Sequence, residues 1–158
     1  MTEHIRIVLV DDHHVVRRGL RTYLESFPDM EVIGEAASGE EALRSIEAWS
    51  PDVVVMDLLL PGGMDGVEAI RRVRLLTPQT QIIALTSYTD DARVIAVLRA
   101  GAVGYVRKDA APDILLASIR AAAHGQTLID PAVAGVVLQD ISRSETPEVT
   151  LSEREQDV

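Results

Sequence analysis

The sequence has no cysteine, one lysine and very few aromatic residues: one phenylalanine, one tryptophan and three tyrosines among 158 residues. The absence of cysteine excludes disulfide bonds, thiolate metal sites and cysteine nucleophiles. No apolar run approaches the roughly 20 residues that a membrane-spanning helix needs. Residues 1–6 also lack the basic and apolar regions of a signal peptide. We therefore expect a cytoplasmic protein that makes no contact with a membrane.

Basic side chains are scarce, with 15 against 25 acidic residues and a net charge of −10. This balance argues against the binding of nucleic acid through a basic surface of this chain. Lys108 is the single lysine, and the other basic residues are all arginine. Hydrophobic residues make up 47% of the chain, which is enough to form a core. We therefore expect a folded protein whose ligand is something other than DNA.

Five short apolar runs alternate with five segments in which apolar residues recur every three or four positions. The runs cover residues 5–10, 31–36, 53–56, 81–85 and 103–106. This alternation is typical of a parallel sheet that is covered by helices on both faces. The sequence therefore predicts an α/β fold of the (βα)5 type.

The helical segments carry recognisable starts and an apolar stripe. Ser38 with Glu41, and Asp65 with Glu68, have the spacing of capping boxes, and Pro112 suits the first turn of a helix. In the first helix we predict that a stripe of seven residues faces the core. Its members are Val15, Val16, Gly19, Leu20, Tyr23, Leu24 and Phe27.

Polar side chains follow four of the five predicted strands. A single aspartate after a strand is more often a turn residue or a helix cap than part of a binding site. Four strand ends together are different, because ligands of open parallel sheets bind at the carboxyl ends of the strands. In strand order these residues are Asp11 and Asp12, then Asp57, then Thr86 and Ser87, then Lys108.

Three carboxylates in one crevice repel one another, so the site needs either a raised pKa or a cation. Hard oxygen ligands with room left for water fit Mg²⁺, which proteins often hold together with a phosphate. A carboxylate can attack phosphorus and form an acyl phosphate when a metal neutralises the charge. Asp57 is the candidate nucleophile, while the ammonium of Lys108 and the hydroxyl of Thr86 are suited to bind phosphoryl oxygens.

The same residues resemble the receiver domain of bacterial two-component response regulators, over about residues 5–125. The resemblance implies a flavodoxin-like, doubly wound α/β fold with a five-stranded parallel sheet in the order 2-1-3-4-5, followed by a C-terminal linker helix. The motifs occur in the family's order: Val10-Asp11-Asp12, Val55-Met56-Asp57 with Pro61, Met64-Asp65-Gly66, Leu85-Thr86-Ser87, Gly101-Ala102-Val103-Gly104-Tyr105 and Lys108.

The resemblance also implies a role for each site residue. Asp57 accepts the phosphoryl group and is a ligand of Mg²⁺, and Lys108 binds the phosphoryl group. Asp12 binds Mg²⁺ directly, Asp11 helps through water, and the backbone carbonyl of Leu59 is a further ligand. The residues expected to change position on phosphorylation are Thr86, Ser87 and Tyr105.

Further details are most similar to the NarL/FixJ subfamily, namely Arg17-Arg18-Gly19-Leu20, Lys108-Asp109 and His124-Gly125. The segment Leu151-Ser152-Glu153-Arg154-Glu155 resembles the opening of a LuxR-type helix-turn-helix domain. We therefore expect a receiver domain over residues 1–125 and a linker over residues 126–149, with a helix at 131–141. Residues 150–158 are expected to begin a truncated DNA-binding domain.

The function that the resemblance implies is a phosphorylation switch. A sensor histidine kinase donates the phosphoryl group to Asp57, and the receiver catalyses only its own phosphorylation and dephosphorylation. The phosphorylated protein is expected to form a homodimer. DNA is expected to bind only through the truncated C-terminal domain, and transcription is controlled in this way.

Other functions fit part of the pattern. A Mg²⁺-dependent phosphohydrolase with an aspartate nucleophile would need a second aspartate two residues after Asp57, where Leu59 stands. A nucleotide-binding module would need a glycine-rich turn after the first strand, which is missing. A stand-alone receiver would act through protein partners, but the helix start at Ser152 disfavours it.

Two departures from the family pattern leave points open. His14 stands where the subfamily commonly has proline, so His13 and His14 are either metal ligands or solvated residues at the start of a helix. The pattern favours solvated residues. The loop of residues 61–64 is one residue longer than usual, so its path is not predicted.

Overall fold

The structure, a computed structural model, describes residues 4–59, 64–87 and 91–129, and residues 134, 135, 138 and 139 beyond them. Strands and helices alternate along the described chain. In order they are β1 (Ile5–Val10), α1 (His14–Glu25), β2 (Met30–Ala36), α2 (Gly39–Trp49), β3 (Val53–Asp57), α3 (Gly66–Leu76), β4 (Gln81–Thr86), α4 (Asp91–Ala100), β5 (Gly104–Arg107), α5 (Pro112–Ala123) and β6 (Leu128–Ile129).

The strands form one parallel sheet in the order β2-β1-β3-β4-β5-β6. The predicted order of the first five strands, 2-1-3-4-5, and the flavodoxin-like fold are confirmed. β6 was not predicted, and it pairs with β5 through Leu128 beside Gly104 and Ile129 beside Tyr105. Gly125, at a φ of 74°, turns the chain after α5 and allows it to return beside β5.

Successive residues of each strand point to opposite faces of the sheet, and helices cover both faces. Val54 and Met56 of β3 belong to a core shared with α2, α3 and α4. Val53 and Val55 belong to a second core shared with α1 and α5. All five residues of β3 are buried, so its last residue enters the site from the interior of the protein.

The first turn of α1 departs from the predicted core-facing stripe. Val15 is 82% exposed and Val16 is 37% exposed, whereas Leu24 near the end of the helix is fully buried. Because α1 begins soon after β1 ends, its first turn lies level with the edge of the sheet and has little strand surface to cover. Val16 and Leu20 instead line a cavity of about 180 Å³, together with residues that follow β5.

The predicted starts of α2 and α3 are confirmed. Ser38 Oγ accepts a hydrogen bond from the N–H of Glu41 at 3.1 Å, and Asp65 Oδ1 accepts one from the N–H of Glu68 at 3.0 Å. The Glu41 carboxylate accepts from the N–H of Ala37 at 3.0 Å, one residue before the cap. These bonds satisfy N–H groups that a helix start leaves without partners.

Gly66 brings the start of α3 against the end of β3. A Cβ atom at this position would lie 2.7 Å from Leu58 Cα and 3.0 Å from the carbonyl oxygen of Asp57. The flexible end of a side chain could move away from such a close contact, but these backbone atoms cannot do so easily. Glycine therefore allows the helix to begin directly beside the strand end that carries Asp57.

Several predictions fall on residues outside the described ranges. These are the path of the loop at residues 61–63, most of the linker, and the predicted domain start at residues 150–158. Four residues of the predicted linker helix are described, and all four are helical. Within the described ranges, no helix combines the length and apolar character needed to cross a lipid bilayer.

Candidate functional site

The carboxyl ends of four neighbouring strands meet at one edge of the sheet. Asp57 is the last residue of β3, Thr86 is the last residue of β4, Asp11 follows β1 and Lys108 follows β5. The strands are parallel, with Asp57 beside Leu85, so these ends lie at one level. The fold thereby places side chains that are far apart in sequence around one crevice.

The Asp57 carboxylate is fully buried and has a different partner on each oxygen. Oδ1 accepts a hydrogen bond from the N–H of Leu59 at 3.0 Å. Oδ2 lies 2.9 Å from Lys108 Nζ, which donates a hydrogen bond to it. The backbone N–H of Lys108 also donates to the carbonyl of Thr86 at 2.6 Å, which fixes the loop that carries the ammonium. The single lysine of the chain is therefore held against Asp57.

Asp11 supplies a second buried carboxylate, only 2% exposed. Its Oδ2 lies 3.2 Å from Lys108 Nζ, close enough for an ion pair. The geometry is unsuitable for a hydrogen bond, and Oδ2 has no hydrogen-bond donor among the described residues. A buried carboxylate oxygen without a donor is costly, so this atom is suited to a cation.

Asp12 and His13 complete the cluster on its exposed side. One ligand atom from each of Asp11, Asp12, His13 and Asp57 lies within 4.8 Å of the others. The Asp12 side chain is 29% exposed and that of His13 is 62% exposed, whereas the other two are buried. The cluster is therefore buried around Asp57 and solvent-accessible at Asp12 and His13, where an ion can enter.

The buried charges shift the pKa values of two groups. Burial raises the pKa of Asp57, and the negative charge of Asp11 adds to the effect, while Lys108 and the Leu59 N–H oppose it. Burial alone would lower the pKa of Lys108, but the hydrogen bond and charge of Asp57, together with Asp11, outweigh it and raise that pKa. The raised pKa favours the charged ammonium, which lies against two of the three carboxylates of the cluster.

This imbalance of charge, together with an Asp11 Oδ2 atom that has an ion pair but no hydrogen-bond donor among the described residues, indicates that the acidic pocket could bind a metal ion. Its carboxylate oxygens are the ligands that hard divalent cations prefer. The predicted carbonyl ligand, Leu59, lies beside the pocket, where its N–H contacts Asp57. The residues present therefore fit a divalent cation.

The three predicted switch residues lie on the neighbouring strands. Thr86 is 2% exposed at the end of β4, and Ser87 follows it as an exposed residue. Tyr105 of β5 is fully buried in the core that includes Val94 and Val97 of α4. Tyr105 lies beside Ala84 of β4, two residues before Thr86.

Two arginines that sequence reasoning did not assign to the site also hold its loops. Arg17 of α1 donates to the carbonyl of Asp11 and to Glu35 Oε1, the latter at 3.1 Å. Arg93 of α4 donates to the carbonyl of Leu58 at 3.1 Å. Arg17 belongs to a motif that served only to indicate the subfamily, and no sequence signal marked Arg93. Both contacts depend on tertiary packing.

Comparison with known proteins identifies a matching family and several similar proteins. Residues 7–120 match the family described as the response regulator receiver domain. The chain is 44% identical over 158 residues to YhcZ of Bacillus subtilis, which is named an uncharacterized transcriptional regulatory protein. That match covers 98% of this chain and 73% of YhcZ.

Two solved structures are similar over most of the chain. One is a two-component response regulator of the LuxR family from Aurantimonas sp. SI85-9A1, with a TM-score of 0.83 and 37% identity over 89% of this chain and 99% of that chain. The other is the isolated receiver domain of RcsB from Salmonella enterica serovar Typhimurium in the presence of the phosphomimetic BeF₃⁻. Its TM-score is 0.79, with 27% identity over 85% of this chain and 99% of that chain.

Proposed function

This chain belongs to the response regulator receiver family of two-component signalling, with relatives of the NarL/LuxR type that regulate transcription, and from that premise we propose that phosphorylation of Asp57 switches its conformation. The observation that supports the proposal best is the environment of the Asp57 carboxylate. It is fully buried, 2.9 Å from the single lysine and grouped with two further aspartates. A carboxylate held in this way is suited to attack phosphorus rather than to serve as a helix cap.

In the proposed reaction a carboxylate oxygen of Asp57 attacks the phosphorus atom of the donor. A P–O bond forms as the bond from phosphorus to the donor's leaving atom breaks, and its electron pair leaves with the donor. Lys108 would bind an oxygen of the transferred group, because its ammonium already faces Asp57. The hydroxyl of Thr86 supplies a second group of the right type, from the end of the neighbouring strand.

Asp11, Asp12, Asp57 and the backbone carbonyl of Leu59 would hold the metal ion, which we propose to be Mg²⁺. When bound, Mg²⁺ would neutralise negative charge on the phosphoryl oxygens and carboxylates. The protein's own contribution is that Lys108 and the Leu59 N–H favour the ionised form of the Asp57 carboxylate and align it.

The switch that we propose follows from the connections between β4 and β5. Thr86 and Lys108 would both bind the new phosphoryl group, and they are already joined by a backbone hydrogen bond of 2.6 Å. Ser87 follows Thr86 and would move with it. Tyr105 of β5 lies beside Ala84, two residues before Thr86, and belongs to the core that holds Val94 and Val97 of α4. Its ring would therefore change position and alter the α4 surface.

The remaining parts of the proposal concern partners and domains. A sensor histidine kinase would donate the phosphoryl group, and the phosphorylated receiver, residues 1–125, would form a homodimer. Residues 126–149 would link it to a helix-turn-helix domain beginning at residues 150–158, which would bind DNA. The protein would act in the cytoplasm, and its only catalysis would be its own phosphorylation and dephosphorylation.

The proposal is tested by intact-mass measurement after incubation with Mg²⁺ and acetyl phosphate or phosphoramidate. Wild type should gain one phosphoryl group that hydroxylamine removes, whereas Asp57→Asn should gain none. Omission of Mg²⁺ should suppress the gain, and the modified protein should elute earlier from a sizing column if it dimerises.

Failure to gain mass, under conditions that label another receiver, would contradict the proposal. Continuous release of phosphate without a stable adduct would instead favour a phosphohydrolase. Leu59 makes that outcome unexpected, because it occupies the position where such an enzyme needs an acid or base.

A further inference from the structure

We propose that His13 is an additional ligand of the divalent cation and that it shifts the preference of the site from Mg²⁺ towards first-row transition metals. The inference rests on the proposed function, since it takes the Asp11–Asp12–Asp57 cluster as the metal site. It goes further by adding an imidazole nitrogen to a set of oxygen ligands.

The position of the His13 ring supports this assignment. Its Nδ1 lies 3.1 Å from Asp12 Oδ1 and 3.2 Å from Asp11 Oδ1. Two neighbouring ligands of an octahedral ion, each about 2.1 Å from the metal, are about 3.0 Å apart. The nitrogen therefore already lies at the spacing of a neighbouring ligand from each of the two carboxylate oxygens. A metal ion would replace the hydrogen bond between Nδ1 and Asp11 Oδ1, and the ring, whose side chain is 62% exposed, would not have to move across the site.

The backbone keeps the ring in this place. The N–H of His13 donates to Asp11 Oδ1 at 2.8 Å, and the carbonyl of His13 accepts from the N–H of Arg17 at 3.0 Å. The Arg17 guanidinium donates to the carbonyl of Asp11 as well. His13 is thus fixed between the loop after β1 and the first turn of α1, and both of these attachments are independent of its side chain.

His14 provides a matched comparison one residue further along. Its Nδ1 lies 3.4 Å from a guanidinium nitrogen of Arg17, and it is not a member of the metal-binding cluster. Both histidines are exposed and lie at the start of the same helix. A property that depends on His13 but not on His14 therefore reflects the carboxylate neighbours and not the presence of an exposed histidine.

The chemical consequence is a change in metal selectivity. Mg²⁺ prefers oxygen ligands, whereas imidazole suits metals such as Co²⁺ and Ni²⁺. We expect His13→Gln to weaken Co²⁺ binding about tenfold or more while it changes Mg²⁺ binding by less than about twofold. His14→Gln should leave both affinities unchanged. Isothermal titration calorimetry of the three proteins with Co²⁺ and Mg²⁺ measures these differences.

Direct detection of the nitrogen ligand uses Mn²⁺ alone as the probe. Bound Mn²⁺ is counted by its EPR signal, and electron spin echo modulation shows whether nitrogen is bound to it. Wild type and His14→Gln should show imidazole nitrogen coupling, and His13→Gln should lack it.

The outcomes separate this inference from the proposed function. If Asp12→Asn abolishes Mn²⁺ binding but wild type shows no nitrogen coupling, His13 is not a ligand, and the aspartate site stands. Equal loss of Co²⁺ and Mg²⁺ affinity in His13→Gln would also overturn the inference, because it would indicate a structural role. If wild type binds neither Co²⁺ nor Mg²⁺, the proposed function fails as well.

Discussion

Asp57 carries a carboxylate at a position without solvent exposure, beside a second buried carboxylate of Asp11. One ammonium, Lys108 Nζ, lies 2.9 Å from the first and 3.2 Å from the second. At the scale of residues, the charge of the site is therefore unbalanced. Among the described side chains, Lys108 supplies the positive charge within ion-pair distance of Asp57. Removal of that charge should therefore lower the free energy of unfolding as well as the rate of phosphorylation.

We predict that Lys108→Met lowers the free energy of unfolding by about 2 kcal/mol at pH 7, because it leaves two buried carboxylates without compensation. Adding Asp57→Asn to Lys108→Met should recover most of that loss, since the repulsion is then removed. Urea unfolding of the two single variants and the double variant measures the coupling. Additive effects would show that Lys108 and Asp57 do not interact in this way.

The candidate site could be predicted in part from single residues. An aspartate that ends a fully apolar strand, as Asp57 does, is visible in the sequence, and so is the isolated Lys108. What could not be predicted is that Lys108 lies between Asp57 and Asp11, because this depends on how the loop after β5 is fastened to Thr86. Nor could sequence decide which of two adjacent histidines faces the carboxylates.

At the scale of elements, the contact between α3 and β3 sets the position of Asp57. Gly66→Ala should lower the free energy of unfolding by about 2 kcal/mol or more, because the new Cβ would collide with the backbone of Leu58 and Asp57. It should also slow phosphorylation, since the backbone that must move carries Asp57, the proposed phosphoacceptor.

Gly19→Ala is the matched control, because a Cβ at Gly19 of α1 meets nothing within 4 Å. It should stabilise the protein by about 0.5–1 kcal/mol through helix propensity and leave the phosphorylation rate unchanged. Urea unfolding and the rate of mass gain with acetyl phosphate provide both readouts. Similar behaviour of the two variants would refute the steric explanation.

The contact between α1 and β2 predicts a dependence on pH. Burial alone would raise the pKa of Glu35, but hydrogen bonds from Arg21 at 2.7 Å and Arg17 at 3.1 Å outweigh it and lower that pKa. A lowered pKa means that the contribution of Glu35 to stability is present above its ordinary pKa, 4.5, and is lost as pH falls through the lowered folded-state value.

Glu35→Gln should therefore cost about 0.5–1 kcal/mol at pH 7, and the difference from wild type should shrink as pH falls below 4.5. Glu47→Gln, at an exposed position of α2, should cost little at any pH. Unfolding curves recorded from pH 7 to acid measure this trend. A cost for Glu35→Gln that is independent of pH would contradict it.

The strands and helices differ in how well their bounds and buried faces could be predicted from the sequence, and the differences follow from their contacts. β1 was predicted at the residues where it occurs, since a strand buried on both faces is rich in apolar residues, and every residue of β1 except Arg6 is apolar. The predicted stripe on α1 was wrong at Val15, Val16 and Gly19, which are exposed, because periodicity reports which residues share a helix face but not where the sheet beneath them ends. β6 has two residues and exists through pairing with β5, so its sequence carries no pattern of its own.

For the whole molecule, strand order explains why the site lies where it does. The order β2-β1-β3 reverses the direction of the winding at β1, and Asp11 and Asp57 end the strands on either side of that crevice. β4 and β5 then bring Thr86 and Lys108 to the same edge. A phosphoryl group would make the net charge of −10 more negative, so a cation at this edge would also reduce the negative charge of the whole molecule.

The most direct test of the central claim is to locate the phosphoryl group on the chain. Wild type phosphorylated with acetyl phosphate and Mg²⁺ is reduced with borohydride, which converts an aspartyl phosphate to homoserine, and its peptides are then sequenced by mass spectrometry. Homoserine at position 57, and at no other aspartate, is the predicted result. Modification at Asp11 or Asp12, or modification that persists in Asp57→Asn, would contradict the account.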